Sequence, residues 1–405
     1  MKISIGYLKV NILFFLFSFL LIQVFKYPLM IFFDKFFINF LSIVILLPVF
    51  SFYVIKKSSL LINSKFFYLF IILLIHLIYS FTVLSNDIIF AINSFLQLSL
   101  PVLFILILSP LPLDELSKLI NKTKFIFYIL FFSVIVEIFI PSDFIYQFRN
   151  SIYINKGSAA YSIPLYEFMN FKIRLGSIIS EPLLSSHLIL LLFILHKNKF
   201  SLVLKFISVI IIFLHGVLSA TGALLFFYLG LFLKKFSYYF YLICLSLFII
   251  LILFSYKFFL DFNYLNGFAS TSSHLIGFIN GINAVLNFNN FLLGNGLGSA
   301  GSIVTTNFVF QEMNPEINTL SLGNESTFGI LYYQFGLILP FLLIVFYLKL
   351  SYFFYENRVY GISGLIIGYL FYMIFSESFI TIPNQIFFYI VLLYHYKKIE
   401  YFDKK

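Results

Sequence analysis

Long apolar runs alternate with short polar turns along most of this chain, and only two polar stretches are long. Apolar runs of 17 to 23 residues recur, and each of these can cross roughly 30 Å of hydrocarbon as an α-helix. The two long polar stretches cover residues 142–180 and 257–325. The pattern predicts twelve candidate membrane spans: 8–25, 36–55, 66–84, 88–109, 124–141, 182–196, 200–216, 220–233, 237–256, 326–348, 359–376 and 381–396.

The composition is typical of a protein that lies mainly in the membrane interior. Of the 405 residues, 61% are hydrophobic and 10% are charged, and the mean hydropathy is +1.03. No polar segment has the alternating pattern or the size of a soluble domain. We therefore predict one integral membrane domain over residues 1–405, with an all-α polytopic fold. The first span lacks a small-residue cleavage site after it, so we interpret it as a retained helix.

The distribution of basic residues predicts the orientation of the chain. If the N-terminus is cytoplasmic, nineteen of the 26 Lys and Arg fall on the inner side. This positive-inside bias places both termini in the cytoplasm and both long polar stretches outside a plasma membrane. It also accounts for the net charge of +10, because the basic residues are spread over short turns that face anionic headgroups. Binding to nucleic acid is excluded on the same ground, since no folded surface collects these charges.

Three predicted spans begin with residues that favour a helix N-terminus. Ser180, Glu181 and Pro182 open the sixth span, where the missing N–H of proline costs nothing. Residues 219–222 and 323–327 open two more spans in a similar way. Helix starts of this kind attract phosphate through their free N–H groups and the helix dipole. We therefore expect anion-binding chemistry beside the external stretches.

Each candidate residue also has a structural interpretation. Glu181 and Glu325 fit simple capping carboxylates at helix starts as well as they fit functional residues. Arg149 and Arg174 are the two arginines predicted outside, and a loop arginine commonly pairs with a headgroup or an acid. Arg174 fits an anion somewhat better than this alternative, because the arginine fork binds a phosphate bidentately. Glu137 lies near the outer end of the fifth span, where its side chain can reach water by snorkelling.

Several familiar kinds of site have no signature in the sequence. Cys244 is the single cysteine, so an internal disulfide is excluded. Neither external stretch has carboxylate or His/Cys spacing suited to a metal ion. The Gly-x-Gly-x-Gly sequence at 294–298 follows no strand, so we expect a tight turn or a backbone nest instead of a dinucleotide site. His187 is interpreted as a packed polar residue of the helix bundle.

The order of these features resembles that of bacterial O-antigen polymerases and O-antigen ligases. An Arg-x-Gly followed by Ser-Glu-Pro enters a span at 174–182, and a short polar turn follows at 219–222. A glycine turn lies at 294–298 in the late external stretch, and Asn324-Glu325 opens the next helix, which continues to Gln334-Phe-Gly-Leu-Ile. The resemblance covers about residues 145–345, and the Ser-Glu-Pro form favours the polymerase branch. His274 stands where the family tends to have an arginine.

The resemblance implies a glycosyltransferase of the C type in the bacterial inner membrane. It would join undecaprenyl-diphosphate-linked oligosaccharides outside the cytoplasm, without a cofactor or metal. Arg174, Arg149 and His274 would bind the diphosphate or sugar, and Glu325 or Glu181 would act as the catalytic base. The expected partners are the lipid-linked oligosaccharides, membrane lipids and, as a candidate, a chain-length regulator protein.

Two other functions stay open from the sequence. A ligase would transfer finished glycan to lipid A core or to protein. A flippase of the same lipid-linked units would have basic side chains along its spans and would have short loops. Here the spans hold almost no Lys or Arg, and almost seventy external residues separate the ninth and tenth spans. These features favour an enzyme over a transporter.

Overall fold

The protein is represented by a computed structural model. The structure describes residues 2–5, 8–33, 35–62, 65–155, 166–168, 171–173, 175–232, 234, 238–239, 242–243, 269–286, 291–300, 326–376 and 381–403.

The described chain is mainly helical. Its helices are α1 Ile12–Val24, α2 Lys26–Leu29, α3 Lys35–Ile62, α4 Lys65–Thr82, α5 Ile88–Leu108, α6 Leu113–Phe139, α7 Ser142–Asn155, α8 Pro182–His196, α9 Leu202–Leu214, α10 Leu218–Phe232, α11 Ala269–Leu286, α12 Thr327–Phe335, α13 Ile338–Glu356, α14 Tyr360–Phe375 and α15 Ile382–Asp403. Two short 3-10 turns cover Ser177–Ile179 and Lys197–Lys199.

The helices follow most of the predicted spans. Among the described residues, α5, α6 and α13 are long and apolar enough to cross a membrane. Shorter apolar helices lie within α1, α3, α4, α9, α10, α11 and α14. A helical fold with apolar helices suited to a membrane is therefore confirmed. Twelve spans remain a prediction, and the span at 237–256 lies almost wholly outside the described residues.

The single span predicted over 326–348 is wrong, because two helices occupy this range. Gly336 adopts a left-handed conformation with φ 66° and ends α12, and its N–H donates to Tyr332 O at 2.9 Å. A Cβ on Gly336 would lie 2.6 Å from the backbone of Leu292, so only glycine fits this close approach. Pro340 then falls in the first turn of α13, where its missing N–H is tolerated.

Two short antiparallel hairpins were not expected from the apolar pattern. β1 Lys2–Ile5 pairs with β2 Leu8–Asn11, so the first helix begins at Ile12 and not near residue 8. β3 Tyr166–Phe168 pairs with β4 Phe171–Ile173 inside the first long polar stretch. That stretch also contains α7, and the second long stretch contains α11.

The chain divides into two compact units. Unit 1 comprises Met1–Leu73, Gln97–Thr221 and Ile380–Lys405. Helix α8 is its central element, because nearly all of its side chains are buried and it packs against α6, α9 and α15. An apolar helix that is buried on every side is typical of the middle of a membrane bundle.

Unit 2 comprises Leu74–Leu96 and Gly222–Phe379. Its centre is formed by α11, α12, α13 and α14, which pack on one another. Helices α11 and α12 approach closely at two glycines, since a Cβ on Gly281 would lie 2.5 Å from Gly329 O. Small residues at such a crossing allow the backbones of two helices to approach closely.

Candidate functional site

The segment from Leu175 to Glu181 connects the first polar stretch to the buried helix α8. Residues Ser177–Ile179 form a 3-10 turn, and Pro182 is the first residue of α8. Ser177 and Ser180 have φ values of 58° and 63°, a left-handed conformation that residues other than glycine rarely adopt. We call Leu175–Glu181 the entry loop. Two strained serines in so short a loop indicate that contacts elsewhere hold its shape.

Glu137, near the end of α6, holds the first part of the entry loop. Its Oε2 accepts hydrogen bonds from the N–H of Gly176 at 2.9 Å and the N–H of Ser177 at 2.8 Å. Its Oε1 accepts from Arg149 Nη2 at 2.7 Å. The side chain is buried, with 7% exposure. Three bonds of this kind stabilise an ionised carboxylate away from water, so the snorkelling expected for Glu137 does not occur.

Ser133, one helical turn before Glu137, makes a second contact with the entry loop. Its hydroxyl lies 2.6 Å from Ser177 Oγ and accepts from the N–H of Ile178 at 3.2 Å. A Cβ on Gly176 would lie 2.7 Å from the carbonyl carbon of Ser180 and 3.0 Å from the N of Glu181. The glycine of the Arg-x-Gly sequence is therefore needed for the loop to fold back on itself.

Arg149 lies inside unit 1 and not on its surface. Its exposure is 0%, and it reaches Glu137 from helix α7. The prediction that Arg149 binds a diphosphate stays a prediction, but the guanidinium already has an acidic partner in this structure. The pairing of these two residues was not predicted from the sequence. The available signal was an isolated Glu in an apolar helix followed, after a short turn, by an isolated Arg.

Glu181 occupies the N-cap position of α8, as the sequence suggested, but its side chain makes no capping hydrogen bond. Its Oε2 atom is buried and has no hydrogen-bond partner among the described residues, and the same is true of Ser180 Oγ. Buried polar atoms in folded proteins are nearly always paired. The carboxylate at the end of the entry loop therefore has an oxygen available as an acceptor.

Two serine–histidine pairs lie further along α8. His187, with 1% exposure, has Nε2 at 2.9 Å from Ser219 Oγ. His215 Nδ1 donates to Ile211 O at 2.7 Å, so in the neutral ring Nε2 accepts from Ser185 Oγ at 3.0 Å. These contacts agree with the interpretation of His187 as a packed polar residue. They link α8 to the helices that follow it and satisfy both side chains internally.

The glycine turn belongs to unit 2 and is a structural turn. Gly294, Gly296 and Gly298 have φ values of 71°, 81° and 80°. The N–H groups of Asn295 and Gly296 donate to the carbonyls of Tyr333 and Gln334 at 2.9 and 3.0 Å. The N–H of Leu297 donates to Ser80 Oγ at 2.8 Å. Because these donors are occupied, the tight turn expected from the sequence is confirmed and the backbone nest is not.

Side chains from α4, from the segment between α4 and α5, and from α12 complete the contacts of this turn. The segment before α5 supplies Asn86, whose Nδ2 donates to the carbonyls of Asn295 and Leu297 at 2.8 and 3.1 Å. Gln334 Nε2 donates to Ala300 O at 2.7 Å, and His76 Nε2 donates to Gln334 O at 2.9 Å. The turn is therefore held on both sides by amide side chains.

The remaining candidate residues are less fully placed. Arg174 and Glu325 lie outside the described residues, and His274 lies within α11. Directly after Glu325, Ser326 caps α12 by accepting from the N–H of Gly329 at 3.1 Å. Thr327 Oγ1 donates to Ser376 O at 2.6 Å, so the start of α12 is tied to the end of α14.

Within the described part of the chain, no group of three or more His, Cys, Asp or Glu side chains is arranged to hold a metal ion. Metal independence of the reaction stays a prediction. No protein-family model matches the chain, and comparisons with curated proteins and with solved structures give no significant match.

Proposed function

We propose that this protein is a polysaccharide polymerase of the bacterial inner membrane. It joins undecaprenyl-diphosphate-linked oligosaccharide repeat units into O-antigen or capsular polysaccharide at the outer face. The order of motifs between residues 145 and 345 supports this proposal, as does a helical chain with a mean hydropathy of +1.03. In the proposed topology, twelve spans leave both termini in the cytoplasm and both long polar stretches outside.

The observation that carries the proposal is the buried, unpartnered Oε2 of Glu181 at the end of the entry loop. A carboxylate that accepts a proton must lie within hydrogen-bonding reach of the attacking hydroxyl and must not be occupied by another donor. Among the described residues, Glu181 meets the second condition, while the other carboxylate of this region, Glu137, is fully bonded. Glu325, outside the described residues, is the alternative base.

The proposed reaction is a transfer of one glycosyl group. The acceptor hydroxyl attacks the anomeric carbon of the donor unit, and its proton passes to the carboxylate base. The bond from the anomeric carbon to the lipid diphosphate breaks, and the diphosphate departs with the bonding electrons. Negative charge therefore grows on the diphosphate in the transition state, where cationic donors accelerate the step most. Arg174 is the proposed first donor, and His274 is a further candidate. Arg149, which the resemblance also assigns to this role, is already paired with Glu137.

A deletion strain tests the proposal against the other two functions. Loss of a polymerase leaves caps of one repeat unit on the cell surface. Loss of a ligase leaves full-length glycan that is not transferred, and loss of a flippase traps the precursor in the cytoplasm. Accumulation of one-unit caps, reversed by the wild-type chain, is the expected result. Either of the other two outcomes would contradict the polymerase assignment.

A further inference from the structure

We propose that Glu137 and Arg149 are positioning residues that hold the entry loop in the shape in which Glu181 can act as the base. This inference rests on the proposed function for the role of Glu181, and on the geometry alone for the loop. Neither Glu137 nor Arg149 needs to touch the substrate for this purpose.

The carboxylate of Glu137 uses both oxygens for this task. One oxygen binds Arg149, and the other accepts two consecutive backbone N–H groups, those of Gly176 and Ser177. These N–H groups begin the segment that contains both left-handed serines. Hydrogen bonds to a charged acceptor are stronger than neutral ones, and more so away from water. Glu137 therefore fixes the backbone four to five residues before Glu181.

Arg149 makes the buried carboxylate possible. An uncompensated charge with 7% exposure would be strongly unfavourable, and a guanidinium at 2.7 Å offsets that cost. Arg149 comes from α7, so the ion pair also fixes this helix against α6. The position of Arg149 is thus explained without a contact to diphosphate.

We call the contacts of Glu137 with Arg149 and with the N–H groups of Gly176 and Ser177 the anchor. The anchor also explains why the strained entry loop persists. Ser133 binds both the side chain of Ser177 and the N–H of Ile178, which places a second attachment beside the first. Left-handed serines remain in a fold only where the surrounding contacts determine them. Replacing Glu137 by Gln would keep the size of the side chain, but one acceptor oxygen would become an NH₂ donor. This donor would face other donors, either the guanidinium of Arg149 or the two backbone N–H groups.

Cysteine labelling tests the geometry without any assay of transfer. The chain has one native cysteine, Cys244, so Cys244→Ser provides the background. Ser180→Cys, at a site with 1% exposure, should react slowly with a membrane-impermeant maleimide, and Ile178→Cys, at 37% exposure, should react faster. Adding Glu137→Gln should raise the rate at position 180 about tenfold or more, because charged hydrogen bonds are lost. Glu115→Gln, on the same helix, is the matched control and should leave the rate unchanged. An unchanged rate at position 180 in both variants would overturn the anchor.

Transfer assays on the full-length protein in membranes test the link to Glu181. Glu137→Gln should lower kcat about tenfold or more while KM for the lipid-linked substrate stays within about a factor of two. Glu137→Asp and Arg149→Lys keep the charges of the pair. Each should therefore retain more of the wild-type rate than Glu137→Gln does. If Arg149 instead binds the diphosphate, Arg149→Lys will raise KM with no change in labelling at position 180, and the proposal fails.

A charge exchange separates the anchor from the ion pair. The double variant Glu137→Arg with Arg149→Glu restores opposite charges but faces a guanidinium toward the N–H groups of Gly176 and Ser177. It should stay as slow as Glu137→Gln, and recovery of the wild-type rate would contradict the role of the backbone contacts. If the wild-type chain has no transfer activity but labelling changes as expected, the anchor stands and the proposed function fails. Wild-type transfer that is insensitive to Glu137→Gln refutes this inference alone.

Discussion

Glu137 illustrates how an apolar helix can keep a charge when every side of the carboxylate is occupied. Removing one partner of a buried pair leaves a charge without compensation, which is more damaging than the pair is stabilising. The neighbouring Gly176 is equally constrained, because its missing side chain leaves room for the backbone of Ser180. Function in this region should therefore depend on residues that do not meet the substrate.

The constraint at Gly176 gives a direct prediction. Gly176→Ala would place a Cβ 2.7 Å from a backbone carbon, so the entry loop must shift. We expect a loss of stability of about 1–3 kcal/mol, typical of overpacking, and a fall in polymer per protein molecule. Gly361→Ala is the comparison, because the nearest atoms to a Cβ there belong to the side chains of Phe227 and Leu231 and not to backbone. Equal stability of the two variants in a thermal assay would contradict the loop geometry.

Arg174 should act through its cationic fork in the transfer step. Arg174→Ala is expected to reduce the rate by about 10²-fold, by analogy with the loss of one oxyanion donor. Arg174→Lys should recover only part of it, since an ammonium cannot make a bidentate contact. Glu325→Gln should lower chain extension at normal protein level, and Arg358→Ala, on the opposite predicted side, should have no effect. Normal polymer from both Arg174→Ala and Glu325→Gln would show that these residues are interface caps.

The reaction should proceed without a metal ion. Neither external stretch has metal-ligand spacing in sequence, and the described residues contain no suitable group of ligands. Polymerisation by the purified protein is therefore expected to survive EDTA. Abolition by EDTA with rescue by Mg²⁺ or Mn²⁺ would show that the protein has a metal site and would contradict this prediction.

At the level of elements, apolar runs located the helices, but contacts between distant residues were not accessible from the sequence. The run at 326–348 is mainly apolar, and the break at Gly336 depends on its contact with Leu292. The ion pair between Glu137 and Arg149 depends on how α7 folds back on α6. The start of α8 was predictable, because the proline at its first position is a local signal.

The glycine turn offers a test of packing between elements. Asn86 donates to the carbonyls of Asn295 and Leu297, so Asn86→Ala leaves both without this donor. We expect a loss of about 1–3 kcal/mol, because two hydrogen bonds worth about 0.5–1.5 kcal/mol each are lost, and the loss is read as a lower Tm in detergent. Asn357→Ala, which removes one bond to Phe353 O in a different turn, should cost less. A larger effect at Asn357 would contradict the role of Asn86 in stabilising the glycine turn.

For the whole molecule, the proposed orientation in the membrane rests on charge and not on the fold. The chain places nineteen of its 26 basic residues on one predicted side, which also contains both termini. In this proposed topology, both long polar stretches fall on the opposite side. The proposed function requires this arrangement, because it joins the lipid-linked units at the outer face of the membrane.

Reporter fusions test this orientation across the chain. A reporter that is active only outside the cytoplasm should be active when fused near residues 160 and 290. It should be silent near residues 60, 120 and 235, since the lysines flanking these positions are retained on the cytoplasmic side. The fusion near 120 is the most informative, because α6 begins at Leu113 and Lys118, Lys122 and Lys124 lie in its first turns. An active reporter there would show that the first half of the predicted topology is inverted. Glu137 and the entry loop would then lie on the cytoplasmic side, and transfer at the outer face would lose its basis.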